Sequence, residues 1–385
     1  MMDKPKIMHY IYDICTGGAE TLVKNYMLNF NKRKFEVVLL CMKHRQGSPY
    51  EKELLENNIR VIYVEDYLFS RYRKNIFVRF VNHYLQYMIV KKIIKRENPN
   101  VLHTHLALNA FVRFAKPGRS TVIIHTAHNE PRKLWTSERR VRRRDLRAAK
   151  WLVKHRDMKF IALHEAMRLE INKMFGVSDS IVLNNGIEVA KFNGLVGERL
   201  LRDELCIPQE AFVVGHVGRF SPQKNHVFLV NVFNEIKKHK ENAFLLMVGE
   251  GPDREIIERK LDEYGLSRSY LVLSNRSDIP NLLSVMDIFV FPSLFEGLPV
   301  SLIEAQESRL PCFISDNISD YAIMSNLVSS FSLKDGERKW AENILTSKKP
   351  IKTILNDAEW DIRKVTKKLE KLYLDFLAER GYGKK

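Results

Sequence analysis

The stretch FPSLFEGLPVSLIEAQESRLPCFISD, residues 291–316, decides how this chain is read. The apolar run Ile288-Phe289-Val290-Phe291 that leads into it has the length and residue types of a buried strand. Gly297-Leu298-Pro299 then opens a helix, since proline suits the first helical turn, where its missing N–H has no intrahelical partner to lose. Strand, loop and helix in that order turn backbone N–H groups near Gly297 and Leu298 outward. They lie beside the positive end of the helix dipole and form a site for an anion. Glu296 and Glu304, with seven residues between them, flank that site. At about 1.5 Å of rise per residue, Glu304 lies about 8 Å along the helix from its start.

An anion site with one carboxylate beside it and another further along suits a diphosphate carrying hydroxyl-rich groups at both ends, which describes a nucleotide-sugar. The pattern FPSxxEGxPxxxxEA behind a buried strand resembles the Glu-x7-Glu signature of retaining glycosyltransferases of family 4. The wording EGLPVSLIEAQESRLPCFISDNIS is most similar to the bacterial capsule and exopolysaccharide members. The resemblance implies an α/β protein of GT-B fold, with two doubly wound Rossmann-like domains facing a cleft.

Working outward, the first half alternates strands and helices. Apolar runs at 6–14, 35–42, 59–64, 101–106, 121–127 and 159–164 read as strands, and 180–187 closes the half with an Asn-Gly turn at Asn185-Gly186. The alternation restarts at 211–220 and continues through 243–249, 270–274, 287–293 and 311–315. This pattern predicts parallel sheets covered by helices on both faces. Residues 189–209 read as the linker between the halves. The expected domains are 1–188 on the acceptor side and 189–357 on the nucleotide-sugar side. The last helix, about 358–380, carries an apolar stripe of Ile362, Val365, Leu369, Leu372 and Phe376. The resemblance implies that this helix packs back on the first domain.

Sheets of this kind bind ligands beyond the carboxyl ends of their strands, and the remaining candidates stand there. Arg219 and Lys224, in GHVGRFSPQKNH, follow a strand and resemble the family's diphosphate-binding cations. Fixed cations would stabilise the charge that grows on a departing diphosphate. They would also replace a divalent metal, so no metal and no cofactor are expected. Gly17 and Gly18 sit in a GGAE turn similar to the family's donor-side glycine loop. His128, in HTAHNE, matches the family's active-site histidine, with His125, His103 and His105 as rivals. Gly249-Glu250-Gly251-Pro252 is a weak phosphate loop, because Arg254 stands where a dinucleotide fingerprint has its third glycine. Arg276, after the strand at 270–274, is placed near the nucleotide base.

The expected catalytic set is therefore His128, Glu296, Arg219 and Lys224. The donor-binding set is Gly17, Gly18, Arg219, Lys224, Arg276, Glu296, Gly297, Leu298 and Glu304. The resemblance implies a metal-independent, retaining hexosyltransferase that takes a nucleotide-sugar, a UDP-sugar first, and adds its sugar to a lipid-linked oligosaccharide or glycan acceptor.

A chain of 385 residues exceeds one growing core. Its 45% apolar and 28% charged content is that of an ordinary globular protein. The cysteines are scattered, no apolar run reaches bilayer-spanning length, and the start MMDKPKIMHYIYDI lacks a signal-peptide layout. A reduced, cytoplasmic protein is expected. The net charge of +17 is concentrated in two amphipathic stretches. One runs from Arg132 to Arg156 and includes Arg139, Arg140, Arg142, Arg143, Arg144, Arg147, Lys150 and Lys154. The other runs from Arg71 to Arg96 and includes Arg73, Lys74, Arg79, Lys91, Lys92 and Lys95. Basic amphipathic helices suit an anionic membrane surface, so peripheral attachment to the cytoplasmic face of the membrane is expected. Two other readings compete. A phosphorylase of the same fold would use inorganic phosphate. A nucleic-acid-binding protein would explain the charge but not the paired glutamates.

Overall fold

Segments such as VLHTH and VIIHT are buried at every position, as strands covered on both faces must be. The computed structural model describes residues 4–69, 76–135, 140–193, 195–347 and 359–382. Arg71, Arg73, Lys74 and Arg139 lie outside the described residues, as do the side chains of Arg79 and Arg140.

The chain forms two compact units. One comprises the chain up to Cys15, Ala19–Asn185 and the segment from Ile362 onward; the other comprises Thr16–Gly18 and Gly186–Asp361. In the first unit, β1 (Lys6–Ile11), β2 (Glu36–Cys41), β3 (Arg60–Tyr63), β4 (Val101–His105), β5 (Val122–Thr126), β6 (Lys159–Ala162) and β7 (Ile181–Val182) make a parallel sheet. Its order is β3-β2-β1-β4-β5-β6-β7. In the second, β8 (Phe212–Val217), β9 (Ala243–Val248), β10 (Tyr270–Leu273), β11 (Ile288–Phe291), β12 (Cys312–Ser315) and β13 (Val328–Phe331) run β10-β9-β8-β11-β12-β13. Both are doubly wound. The strand order reverses between β1 and β4 in one sheet and between β8 and β11 in the other, and such switch points open a crevice at the strand ends.

The first core gathers Ile7, Leu39, Val101 and Ile124 with Val365, Leu369, Tyr373 and Phe376 of the helix Ile362–Glu379. Burying a side chain such as Leu369 or Phe376 contributes roughly 1.5–3 kcal/mol, so the last helix is bound into this unit rather than laid on it. The second core centres on Val214, Phe233, Leu245, Val290 and Trp340.

Several details depart from the sequence reading. β13 was not anticipated: VSSF has no apolar run, and its edge position leaves it only half-buried. The strand expected at 180–187 shrinks to Ile181–Val182. Neither Asn185 nor Gly186 adopts the left-handed backbone of a tight turn. Ile187 instead forms an isolated bridge with Asp361, and its N–H donates to the Trp360 carbonyl at 2.7 Å. Pro299 is the N-cap of the helix Val300–Glu307, with an extended ψ of 111°, and not a residue of its first turn.

Candidate functional site

The switch point of the second sheet brings the loops after β8 and β11 together, and side chains clasp them. Leu294 N–H donates to the Gln223 carbonyl at 2.8 Å. The Gln223 amide returns two bonds, to the Phe295 carbonyl at 2.9 Å and to Glu296 Oε2 at 3.2 Å. Asn225 Nδ2 donates to the Pro292 carbonyl at 3.2 Å. Lys224 Nζ lies 2.8 Å from Glu296 Oε1 and 4.4 Å from the Phe291 ring centroid. Glu296 Oε1 gains no directed hydrogen bond from this contact, so the link is an ion pair reinforced by the ring face. Glu296 is buried, at 6% exposure, and Gly297 and Leu298 are buried behind it. Arg219 is exposed and has no acidic partner among the described residues.

Gly249 and Gly251 brace this loop. A Cβ on Gly249 would fall 2.0 Å from the Gly218 carbonyl oxygen, and one on Gly251 would fall 2.0 Å from that of Phe220. Phe220 N–H donates to the Glu250 carbonyl at 2.8 Å, and Asp253 N–H donates to that of Phe220 at 3.2 Å. The glycines are required because two backbones touch, and the backbone they hold is the one that carries Arg219.

The other expected donor residues sit as follows. Glu304 is half-buried on the helix Val300–Glu307. Arg276 is clamped to Asp278, with Nε to Oδ1 at 2.7 Å and Nη2 to Oδ2 at 2.6 Å, and this fork holds the Asp278 carboxyl below its usual range. Gly18 is exposed at the start of the helix Gly18–Asn29, and a Cβ there would meet nothing within 4 Å. Local packing therefore does not demand a glycine at that position.

In the first sheet, His9 of β1 pairs in register with His103 of β4, and His105 shares their face two residues on. His128, half-buried just beyond β5, places Nε2 2.8 Å from His105 Nδ1. His105 Nε2 meets His9 Nδ1 at 3.0 Å. The Tyr373 hydroxyl, on the helix that covers this face, lies 3.0 Å from His9 Nε2 and 2.6 Å from His103 Nδ1. His103 Nε2 lies 2.7 Å from Thr126 Oγ1. Burial lowers the pKa of His9 to about 3 and of His128 to about 4. It also lowers those of His103 and His105, with neighbouring imidazoles adding to the effect. All of these rings are neutral at pH 7. His125 faces the other side of the sheet, bonded to Thr104 Oγ1 at 2.8 Å and packed on Trp135, and is a core histidine.

Among the described residues, two groups could gather a cation. The ring nitrogens of His9, His103 and His105 lie within 4.8 Å of one another, as do ligand atoms of Asp13, Cys15 and Glu20. The imidazole nitrogens are already committed to each other, to Tyr373, to Thr126 and to His128. Sequence reasoning missed Gln223, although it stands inside the quoted GRFSPQKNH, and it missed His9 and Tyr373. Alternation within KIMHYI places His9 on one face of its strand, but nothing local says that three other polar rings share that face.

The basic stretches are partly structural. Arg113 stacks on Trp151 at 5.1 Å, Arg144 on Tyr87 at 5.6 Å and Lys91 on Phe114 at 5.6 Å, tying together the helices Ile76–Glu97, Asn109–Ala115 and Arg140–Arg156. Arg143, Arg147, Lys150 and Lys154 remain exposed. Phe80, Tyr84 and Met88, spaced by four on the first of these helices, are 74%, 59% and 40% exposed. Among the described residues no helix is long and apolar enough to cross a membrane.

The sequence model of Glycosyl transferases group 1 matches residues 198–336, and that of Glycosyltransferase Family 4 matches residues 16–191. The chain is 25% identical to the capsular polysaccharide biosynthesis glycosyltransferase CapH of Staphylococcus aureus over 381 residues, covering 96% of this chain and 98% of that protein. It is 24% identical to the UDP-Gal:alpha-D-GlcNAc-diphosphoundecaprenol alpha-1,3-galactosyltransferase of Escherichia coli, covering 86% and 84%. Among solved structures it superposes on Anabaena Alr3699/HepE in complex with UDP and glucose with a TM-score of 0.68 at 15% identity, covering 97% and 98%.

Proposed function

Because the chain belongs to the GT-B glycosyltransferases of the family 4 type, we propose that it transfers a sugar, with retention at the anomeric carbon, from a UDP-sugar to a lipid-linked acceptor. It is a glycosyltransferase of polysaccharide biosynthesis, and the finer reading rests on its own residues. The observation that carries it is the clasp at the β8–β11 switch point. There a lysine and a buried glutamate are paired beside an exposed arginine that has no acidic partner among the described residues.

Breaking the bond between the anomeric carbon and the diphosphate leaves negative charge on the departing oxygen. Arg219 and Lys224 hold that charge more strongly than they hold the intact donor, and this difference is what accelerates the step. Backbone N–H groups near Gly297 and Leu298 add to the grip. Glu296, held by Gln223 and Lys224, accepts from sugar hydroxyls and steadies positive charge near the ring. Glu304 accepts from ribose hydroxyls. Gly17 and Gly18 leave room for the donor to approach the backbone. Arg276, fixed by Asp278, borders the base, and His128 contacts the donor sugar. Retention follows from front-face attack, in which the departing phosphate oxygen takes the acceptor proton. No metal is required in this scheme.

A UDP donor and a lipid-linked acceptor are favoured by the Escherichia coli relative, which uses both. The exposed Phe80-Tyr84-Met88 stripe with nearby cations supports peripheral attachment to a membrane. A panel of UDP-, GDP- and ADP-sugars, read by calorimetry and donor hydrolysis with and without chelator, tests the reading. One class of UDP-sugar should respond, and chelator should change nothing. Silence from every donor would end the proposal, and a covalent sugar trapped on Glu296 without acceptor would replace front-face attack with double displacement.

A further inference from the structure

The row of rings beneath His128 has a direction. Thr126, His103, Tyr373, His9, His105 and His128 form one unbranched hydrogen-bonded chain with contacts of 2.6–3.0 Å. A neutral imidazole carries one N–H and one bare nitrogen, so each ring that accepts at one nitrogen must donate from the other. Fixing one proton fixes all of them.

Two arrangements satisfy the chain, and its buried end separates them. Thr126 is 3% exposed, and His103 is its one hydroxyl partner among the described residues. If His103 donated to Thr126, the threonine O–H would be left buried with no acceptor. If Thr126 donates, every donor in the row is satisfied. A buried donor without an acceptor gives up its hydration for nothing in return, which is enough to choose. The protons then run from Thr126 Oγ1 to His103 Nε2, from His103 Nδ1 to the Tyr373 oxygen and from Tyr373 to His9 Nε2. They continue from His9 Nδ1 to His105 Nε2 and from His105 Nδ1 to His128 Nε2. His128 Nε2 is the acceptor, and its proton sits on Nδ1.

We propose that this row locks His128 as the Nδ1–H tautomer, so that its half-buried ring offers a ligand oxygen a hydrogen-bond donor and not a base, with Tyr373 of the C-terminal helix as the positioning residue. The catalytic consequence rests on the reading of His128 as a donor-sugar contact; the tautomer does not.

Selective 15N labelling of histidine distinguishes protonated from bare ring nitrogens, and His128→Gln assigns the relevant signals. In the intact protein His128 should show a protonated Nδ1 and a bare Nε2. Tyr373→Phe keeps the ring and removes the link, so His128 and His105 should become tautomer mixtures. Thr126→Val should do the same and Thr126→Ser should not, which guards against a single misfolded variant. With UDP-sugar, Tyr373→Phe should lower kcat at least about tenfold, as wrong-tautomer histidines do, leave KM within about twofold, and have no further effect in a His128→Ala background. A bare Nδ1 in the intact protein, or signals unmoved by both Tyr373→Phe and Thr126→Val, would overturn the proposal. So would Zn2+ displacing the ring protons of His9, His103 and His105, which would make the cluster a metal site. If His128→Ala leaves turnover unchanged while the tautomer pattern holds, the row stands and the reading of His128 as a sugar contact falls.

Discussion

Lys224 neutralises Glu296 within the protein, their charged atoms 2.8 Å apart with side-chain exposures of 14% and 7%. The two residues therefore cannot be scored as independent contributions to a ligand. On the proposed reading, a diphosphate approaching Lys224 would compete with the carboxylate, which would then be free to turn to sugar hydroxyls as the cation is drawn away. Removal of either residue should accordingly have unlike effects. Lys224→Ala leaves a buried carboxylate without its cation, which costs roughly 3 kcal/mol of stability, weakens UDP binding and lowers turnover about a hundred- to a thousandfold. Glu296→Gln releases Lys224, so UDP should bind as tightly or tighter while turnover still falls by a similar factor. Calorimetry with UDP and initial rates separate the two. Equal weakening of UDP binding by both variants would show that the pair does not act this way.

The glycines behind Arg219 make a second comparison. Gly251→Ala would drive a Cβ into the Phe220 carbonyl, and Gly249→Ala would drive one into that of Gly218, each at 2.0 Å and each against backbone. Gly215→Ala would meet only the Met286 thioether, at 1.9 Å, and methionine can move aside. The first two should cost about 1–3 kcal/mol or more in thermal unfolding and lower turnover by displacing Arg219. Gly215→Ala should cost less and spare kcat. If all three behave alike, the loop is not braced in this way.

These particulars show what the sequence could and could not say. The strand-loop-helix context of Glu296, and the positions of Arg219 and Lys224 after a strand, were legible because strand-end chemistry is local. That Gly249-Glu250-Gly251 supports a neighbouring loop was not legible, because the constraint is a carbonyl some thirty residues away in the chain. Tyr373 was hidden for the same reason. Its spacing reads as one more apolar position of an amphipathic helix, and only the fold brings its hydroxyl to His9 and His103. β13 was invisible because an edge strand needs no apolar run.

Buried neutral histidines set a pH dependence. Burial lowers the pKa of His9, His125 and His216 to about 3, with smaller help from His128 at His125. It lowers that of His226 to about 2 and of His128 to about 4. The unfolded chain binds a proton at each near pH 6.5 while the folded chain does not, so stability is complete above that value and declines as pH falls below it. Each wholly buried ring costs about 2 kcal/mol by pH 5. Together they should unfold the protein at a pH above the carboxylate range. Chemical denaturation from pH 8 to 4.5 measures this, and a flat profile between pH 7 and 5 would contradict the buried, neutral assignment.

The exposed cations of the helix Arg140–Arg156 give the remaining test. Lys91, Arg113 and Arg144 are engaged with aromatic rings, so their loss would confound stability with binding. Arg143, Arg147, Lys150 and Lys154 are exposed and make no ion pair among the described residues. A basic side chain near an anionic membrane is worth about 1 kcal/mol. Replacing these four by glutamine should therefore weaken sedimentation with vesicles containing anionic lipid by about a thousandfold, with melting temperature and donor hydrolysis unchanged. Serine at Phe80 and Tyr84, which are 74% and 59% exposed, removes, instead of charge, apolar area that a bilayer would bury, so it should weaken binding at high salt as well as low. The two sets differ in salt response because screening acts on the cations alone. Equal binding to neutral and anionic vesicles, or binding that neither set of changes reduces, would leave these cations as a solvated surface.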